Sequence, residues 1–222
     1  MGCYLEKSKI LLGLKSLITL ITVTNIIAVS AFCPRAEIRS AIMTLYPSSR
    51  PLRIENRKVV ARRPHNENDI DQYSLLFIKY ESLNLLLYDP RAMHFICFNP
   101  KRTKLMPKRN PLKGKIELCL FQEEPSREMP QTLRSYVNYH RDKRAMITMG
   151  QNGLYFDKET RNCTKKASHH HPHKMRKNCK GDSGFLISSC IDGKRRFCDV
   201  VRDIRKSRGV IHDLKTKYCE NT

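Results

Sequence analysis

Tryptophan is absent from the 222 residues, and acidic side chains are scarce: 21 Asp and Glu stand against 42 Lys and Arg, a formal net charge of +21. So large an imbalance speaks to partners rather than to fold. It points to a polyanion: nucleic acid, an anionic membrane or a sulfated polysaccharide. The chain lacks the aromatic-rich basic motif of an RNA-binding module, which argues against nucleic acid. It also lacks an evident carboxylate opposite Glu123-Glu124, so acid–base catalysis has no pair to work with and Glu124 reads as solvated surface.

The start of the chain carries a long apolar run. Met1–Lys9 contributes Lys7 and Lys9, Ile10–Val29 is mostly apolar, and Val29-Ser30-Ala31 supplies small residues before Phe32. That order is a secretory signal peptide over residues 1–31. The rival is an uncleaved membrane anchor, because about 20 apolar residues can span a bilayer; Lys15 within the run and the small-residue site favour cleavage. Removal of Cys3 with the signal leaves eight cysteines, an even set that permits disulfides without fixing their connectivity. Asn162-Cys163-Thr164 is a glycosylation sequon at Asn162 and suits the secretory pathway.

The remainder reads as short strands and turns. Arg39–Tyr46 has no sustained period and is expected to be a short helix or an irregular lead-in. Leu52-Arg53-Ile54, a polar turn and Val59-Val60 make a hairpin pattern. Ser74–Tyr80 and Leu83–Tyr88 are apolar-rich and poor in β-branched residues, yet their shortness and flanking turns favour strands. Phe95–Phe98 and Leu105-Met106 flank a Pro-containing turn and predict a second hairpin. Ile116–Phe121 alternates and predicts a further strand, as does Leu133–Tyr139. Asn152-Gly153 between Ala145–Met149 and Leu154–Phe156 predicts a third hairpin. Three hairpins about 45 residues apart suggest a threefold repeat, the layout of a β-trefoil, although another small barrel would also fit.

One ordered set carries a family resemblance. Phe95-Ile96-Cys97-Phe98-Asn99, a basic turn with Lys104-Leu105, and Cys119-x-Phe121-x-Glu123 resemble the central signature of the fibroblast growth factors. Leu45-Tyr46 before Leu52-Arg53-Ile54 is similar to the family's first hairpin. The chain departs from the pattern at Leu133-Arg134-Ser135-Tyr136, where the family has Tyr-x-x-Tyr. It departs again at Gly150-Gln151-Asn152, which stands for a basic turn, and at Ala167–His173, which stands for a Phe-Leu-Pro closing strand. A divergent, invertebrate-type member would account for this drift.

The resemblance implies an all-β protein with one β-trefoil over 45–173. A lead-in over 32–44 would precede it, and a basic, Cys-bearing, largely irregular tail with one helix would follow over 174–222. It implies a secreted growth factor that binds a fibroblast growth factor receptor tyrosine kinase, with heparan sulfate as co-receptor, and that activates signalling in development or cell migration. Such a ligand carries no cofactor, metal or catalytic site, binds no nucleic acid and has no stable membrane insertion after signal cleavage. By match, Tyr46 and Glu123 would contact the receptor, Phe121 and Tyr136 would lie in the core, and Arg141, Lys143, Arg144, Lys158, Arg161, Lys165 and Lys166 would bind heparan sulfate. The alternatives are a secreted polysaccharide-binding trefoil without receptor activity and a trypsin-like protease. For the protease, Cys179–Gly184 resembles a nucleophile loop around Ser183, but His94 fits its pattern poorly and an Asp to hold it is wanting. His169-His170-His171-Pro172-His173 suits zinc or copper by ligand type, and Pro172 favours a plain surface tract.

Overall fold

The computed structural model describes residues 36–63, 72–140, 143–150, 153–155, 184–202, 204 and 209–220, with the backbone alone for Lys113 and Lys143. The chain divides into Met1–Pro34 and Arg35–Thr222, and every described residue belongs to the second unit. The signal-peptide reading over 1–31 therefore lies outside the described residues.

Among the described residues the strands are β1 (Ile38–Leu45), β2 (Arg50–Glu55), β3 (Lys58–Ala61), β4 (Leu75–Lys79), β5 (Asn84–Asp89), β6 (His94–Phe98), β7 (Leu105–Lys108), β8 (Leu120–Pro125), β9 (Arg134–His140), β10 (Lys143–Met146) and β11 (Phe185–Asp192). A 3-10 segment covers Lys113–Cys119, and two helices, α1 (Lys194–Arg202) and α2 (Val210–Cys219), end the chain. Following the hydrogen-bonded neighbours gives β1–β11–β9–β8–β5–β4 and back to β1, every pair antiparallel. The result is a closed six-stranded barrel, with β2–β3, β6–β7 and β10 added to it.

This corrects the expected fold. The architecture is all-β in its main part, but it is a closed six-stranded barrel with extra strands and C-terminal helices, not the β-trefoil over 45–173 with an irregular tail. Two barrel strands, β1 and β11, lie wholly or almost wholly outside that span. Of the third predicted hairpin the described residues keep the closing end: Met149 meets Tyr155 in an antiparallel bridge and the Gly150 N–H donates to the Leu154 carbonyl at 2.8 Å, while β10 pairs with β9 and Leu154 also bridges to Val60. The Ala61 N–H donates to the Gly153 carbonyl at 2.8 Å, so this turn is drawn onto β3. Gly153 has φ of +71°, and a Cβ there would stand 2.1 Å from the Ala61 carbonyl oxygen, so only glycine fits the approach.

Two further local expectations change. Arg39–Tyr46, read as helix or lead-in, is strand up to Leu45, the end of β1: Ala41, Met43 and Leu45 line the barrel interior. Ile116–Phe121 alternates like a strand, yet the strand begins only at Leu120, after the 3-10 segment. The Asn138 amide donates to the Glu117 and Leu120 carbonyls at 2.6 and 2.7 Å, occupying acceptors that a neighbouring strand would otherwise use. Cys119 is disulfide-bonded to Cys97 on β6, Cys198 on α1 to Cys219 on α2, and Cys190 is also disulfide-bonded.

Side chains sort onto two cores. Leu75, Phe77, Leu87, Ile96, Phe98, Phe121 and Tyr136 fill the barrel. Leu76, Ile78, Leu86, Tyr88 and Phe95, on the other faces of β4, β5 and β6, pack against Phe197, Val201, Val210, Ile211 and Leu214 of the helices. Burial on both faces explains why these strands read as continuous apolar runs rather than a clean alternation.

Candidate functional site

A strand turns successive side chains to opposite faces, so position in the strand decides where each charge goes. Arg39 shares a face with Ala41 and Met43, Glu123 with Phe121, and Arg134 with Tyr136; all those apolar partners line the barrel interior. The starts of β1 and β9 and the end of β8 lie at one end of the barrel, which follows from the antiparallel order. There the three charges meet. Arg39 Nη2 is 2.7 Å from Glu123 Oε2, and Arg134 Nε is 3.5 Å from Glu123 Oε1. The Arg39 guanidinium lies over the Phe77 ring, 5.4 Å from its centroid. The cluster closes the apolar interior with a partly accessible polar cap, the three side chains retaining 18 to 34% of their exposure.

Tyr136 lies directly beneath, fully buried, and its hydroxyl makes no hydrogen bond of ordinary geometry. Burial pushes that hydroxyl well above its usual pKa, and the Glu123 carboxylate adds to the rise against the opposing charges of Arg39 and Arg134. Tyr136 thus stays a neutral phenol.

Glu124 has the opposite parity and faces outward. Its Oε1 accepts from the Tyr139 hydroxyl at 2.5 Å, and its Oε2 pairs with Arg144 Nη2 at 2.8 Å. Burial pushes its carboxyl up, but the hydrogen bonds from Tyr139 and Arg144, with the charges of Arg144 and Arg127, outweigh it and hold the pKa below the ordinary carboxylate value. The same bonds to Glu124 and Tyr139 raise the Arg144 pKa. Glu124 is therefore one corner of an ordered triad rather than a freely solvated acid.

The structure brings only some of the predicted residues together. Phe121 and Tyr136 are fully buried. Tyr46 follows Leu45 at the end of β1 remote from Arg39, is 42% exposed, and makes no hydrogen bond, ion pair or ring contact with Glu123. Arg144 is half committed to Glu124, and of Lys143 only the backbone is described. Arg141, Lys158, Arg161, Asn162, Lys165, Lys166, Ser183 and the histidine tract lie outside the described residues. His94 turns its Nδ1 to the carbonyl of Ala92. Arg39 and Arg134 were not singled out in the sequence. The available signal was their position two residues before an interior apolar side chain on a strand.

Among the described residues no cluster of three or more His, Cys, Asp or Glu could hold a metal ion, and no helix is long and apolar enough to cross a membrane. No family model matches the chain, and no curated protein matches it.

Proposed function

We propose that this chain is a secreted polypeptide ligand of the fibroblast-growth-factor type, engaging a receptor tyrosine kinase at the cell surface with heparan sulfate as co-receptor. The observation that carries the reading is the Cys119-x-Phe121-x-Glu123 segment. Phe121 anchors β8 in the core, and Glu123 stands two residues on, at a rigid and partly accessible barrel rim. A carboxylate fixed on a strand is preorganised for a partner's donors and loses little freedom on binding. The disulfides are compatible with secretion. The charge of +21 supports attraction to a sulfated polysaccharide.

The test is binding of tagged, secreted protein to an immobilised receptor ectodomain. Glu123→Gln keeps the shape and removes the charge. Affinity is expected to fall about tenfold or more, equivalent to ~1.4 kcal/mol, with an unchanged far-ultraviolet spectrum. Unchanged affinity removes Glu123 from the interface. No receptor binding by the wild-type protein, with heparin binding intact, leaves a polysaccharide-binding module without receptor activity.

A further inference from the structure

We propose that the cleft beside the Cys97–Cys119 disulfide is a binding site for a small amphiphilic anion, an apolar chain carrying one acidic head, such as a medium-chain fatty carboxylate. The cleft has a volume of about 480 Å³, within the range of roughly 300–1,000 Å³ typical of small-molecule sites. It is independent of the charged cap at the barrel end and shares none of its residues.

The floor is apolar and fixed. Phe98 and the disulfide-bonded Cys97 and Cys119 are almost fully buried and line it. One wall is the 3-10 segment, through Gly114, Lys115 and Leu118; the other is the end of β7 and the chain that follows it, through Lys108, Pro111 and Leu112. Both walls are anchored to the rest of the fold. The disulfide ties the 3-10 segment to β6, and Asn110 Oδ1 accepts from the Ile211 N–H at 3.2 Å, pinning the second wall to α2. The walls are thus preformed, which lowers the ordering cost of binding. Leu112 is 61% exposed, a large apolar side chain left in water at the lip.

The charges select the head group. Lys108 and Lys115 both line the cleft and are exposed. The one carboxylate in the lining, Glu117, has its Oε2 2.6 Å from His140 Nδ1, so its charge is directed to the imidazole. The lining therefore presents an excess of positive charge over an apolar floor. A cationic amphiphile would meet two lysines, a neutral one would leave them idle, and an inorganic anion would leave the floor wet.

The probes are dodecanoate below its aggregation threshold, dodecyltrimethylammonium as its cationic counterpart, and inorganic sulfate, each titrated calorimetrically into the whole secreted protein. Dodecanoate is expected to bind one per chain, with amide shifts at Gly114 and Lys115 in the nuclear magnetic resonance spectrum, while the other two do not compete. Lys108→Glu with Lys115→Glu is expected to weaken dodecanoate at least tenfold. Arg195→Glu with Arg202→Glu makes the same change in net charge on exposed positions of α1 and is expected to leave it unchanged. Equal thermal midpoints for the two double variants show that both fold. The proposal is overturned by no dodecanoate binding at millimolar concentration, by equal binding of the cationic amphiphile, or by equal losses in the two double variants. Each outcome is separate from receptor binding, which can succeed or fail on its own.

Discussion

Asp89 shows how one side chain joins two hairpins. It is 2% exposed, and its carboxylate accepts from the N–H of Ile54 at 2.9 Å, of Arg91 at 3.0 Å and of Ala92 at 3.1 Å. The last two bonds shape the turn into β6; the first reaches across to β2. Asp89→Ala leaves a buried Ile54 donor without its acceptor and should cost about 3 kcal/mol, read as a lowered denaturation midpoint at unchanged slope. Asp89→Asn, which keeps an acceptor, should cost clearly less. The Glu124 triad makes a prediction in pH. Its folded pKa lies below the ordinary carboxylate value, so the stabilisation is complete above that ordinary value and is lost as pH falls through the folded pKa. Arg144→Ala should move the Glu124 carboxyl titration, followed by nuclear magnetic resonance, upward toward that ordinary value. A titration that stays in place would mean that Tyr139 and Arg127 set it without Arg144.

At the scale of elements, the two C-terminal helices act as the cover of a barrel wall. Phe197 is fully buried and meets Tyr88 edge-on, with ring centroids 6.2 Å apart. The Tyr218 hydroxyl reaches the Lys79 carbonyl at 2.7 Å and the Glu37 carboxylate at 3.2 Å, fastening α2 to the end of β4. At Gly193, between β11 and α1, a Cβ would stand 2.9 Å from the Ser40 backbone nitrogen, so glycine lets the chain turn close over β1. Phe197→Ala should cost about 3–5 kcal/mol through the cavity it leaves. The Cys198–Cys219 bond closes a separation of 21 residues, and replacing both cysteines by serine should cost ~3 kcal/mol. The check is chemical denaturation, with the barrel's near-ultraviolet signal read beside the helical far-ultraviolet signal. Loss of the helical signal well before the barrel signal would show that the cover is separable.

At the scale of the whole molecule, the positive charge decides how the protein meets its surroundings. Exposed charges are screened over ~8 Å at physiological ionic strength, so binding to a sulfated polysaccharide should weaken as salt rises. A site and a mere excess of charge separate on a heparin column. Replacing Lys158, Arg161, Lys165 and Lys166 with Ala should lower the eluting salt far more than replacing Arg195, Arg196, Arg205 and Lys206. The control set contains Arg196, whose Nη1 bonds to the hydroxyls of Ser40 and Ser74, so a thermal melt of that variant belongs beside the column. Equal losses would assign the retention to net charge.

The strands β2 to β7 and β9 were legible because local chemistry fixes them: short apolar runs, bounded by Pro, Asn, Asp and polar turns, have few ways to bury their bulk. Phe121 and Tyr136 were legible as core for the same reason. The cap of Arg39, Glu123 and Arg134 was not, because Arg39 lies 84 residues from Glu123 and reaches it only when the barrel closes, while Arg134 meets it through the pairing of β8 with β9. The helical cover was hidden for a related reason. Val201, Ile211 and Leu214 fall near helical spacing, so a helix in the tail was expected, but the wall it covers lies on β4 to β6, far away in sequence. By itself the sequence determined which segments could be strands and which side chains sought burial. Tertiary structure alone decided that β1 and β11 would close the barrel, that both faces of β4 to β6 would be covered, and that Arg39 would reach Glu123, because each of these depends on contacts between distant segments that no local pattern encodes.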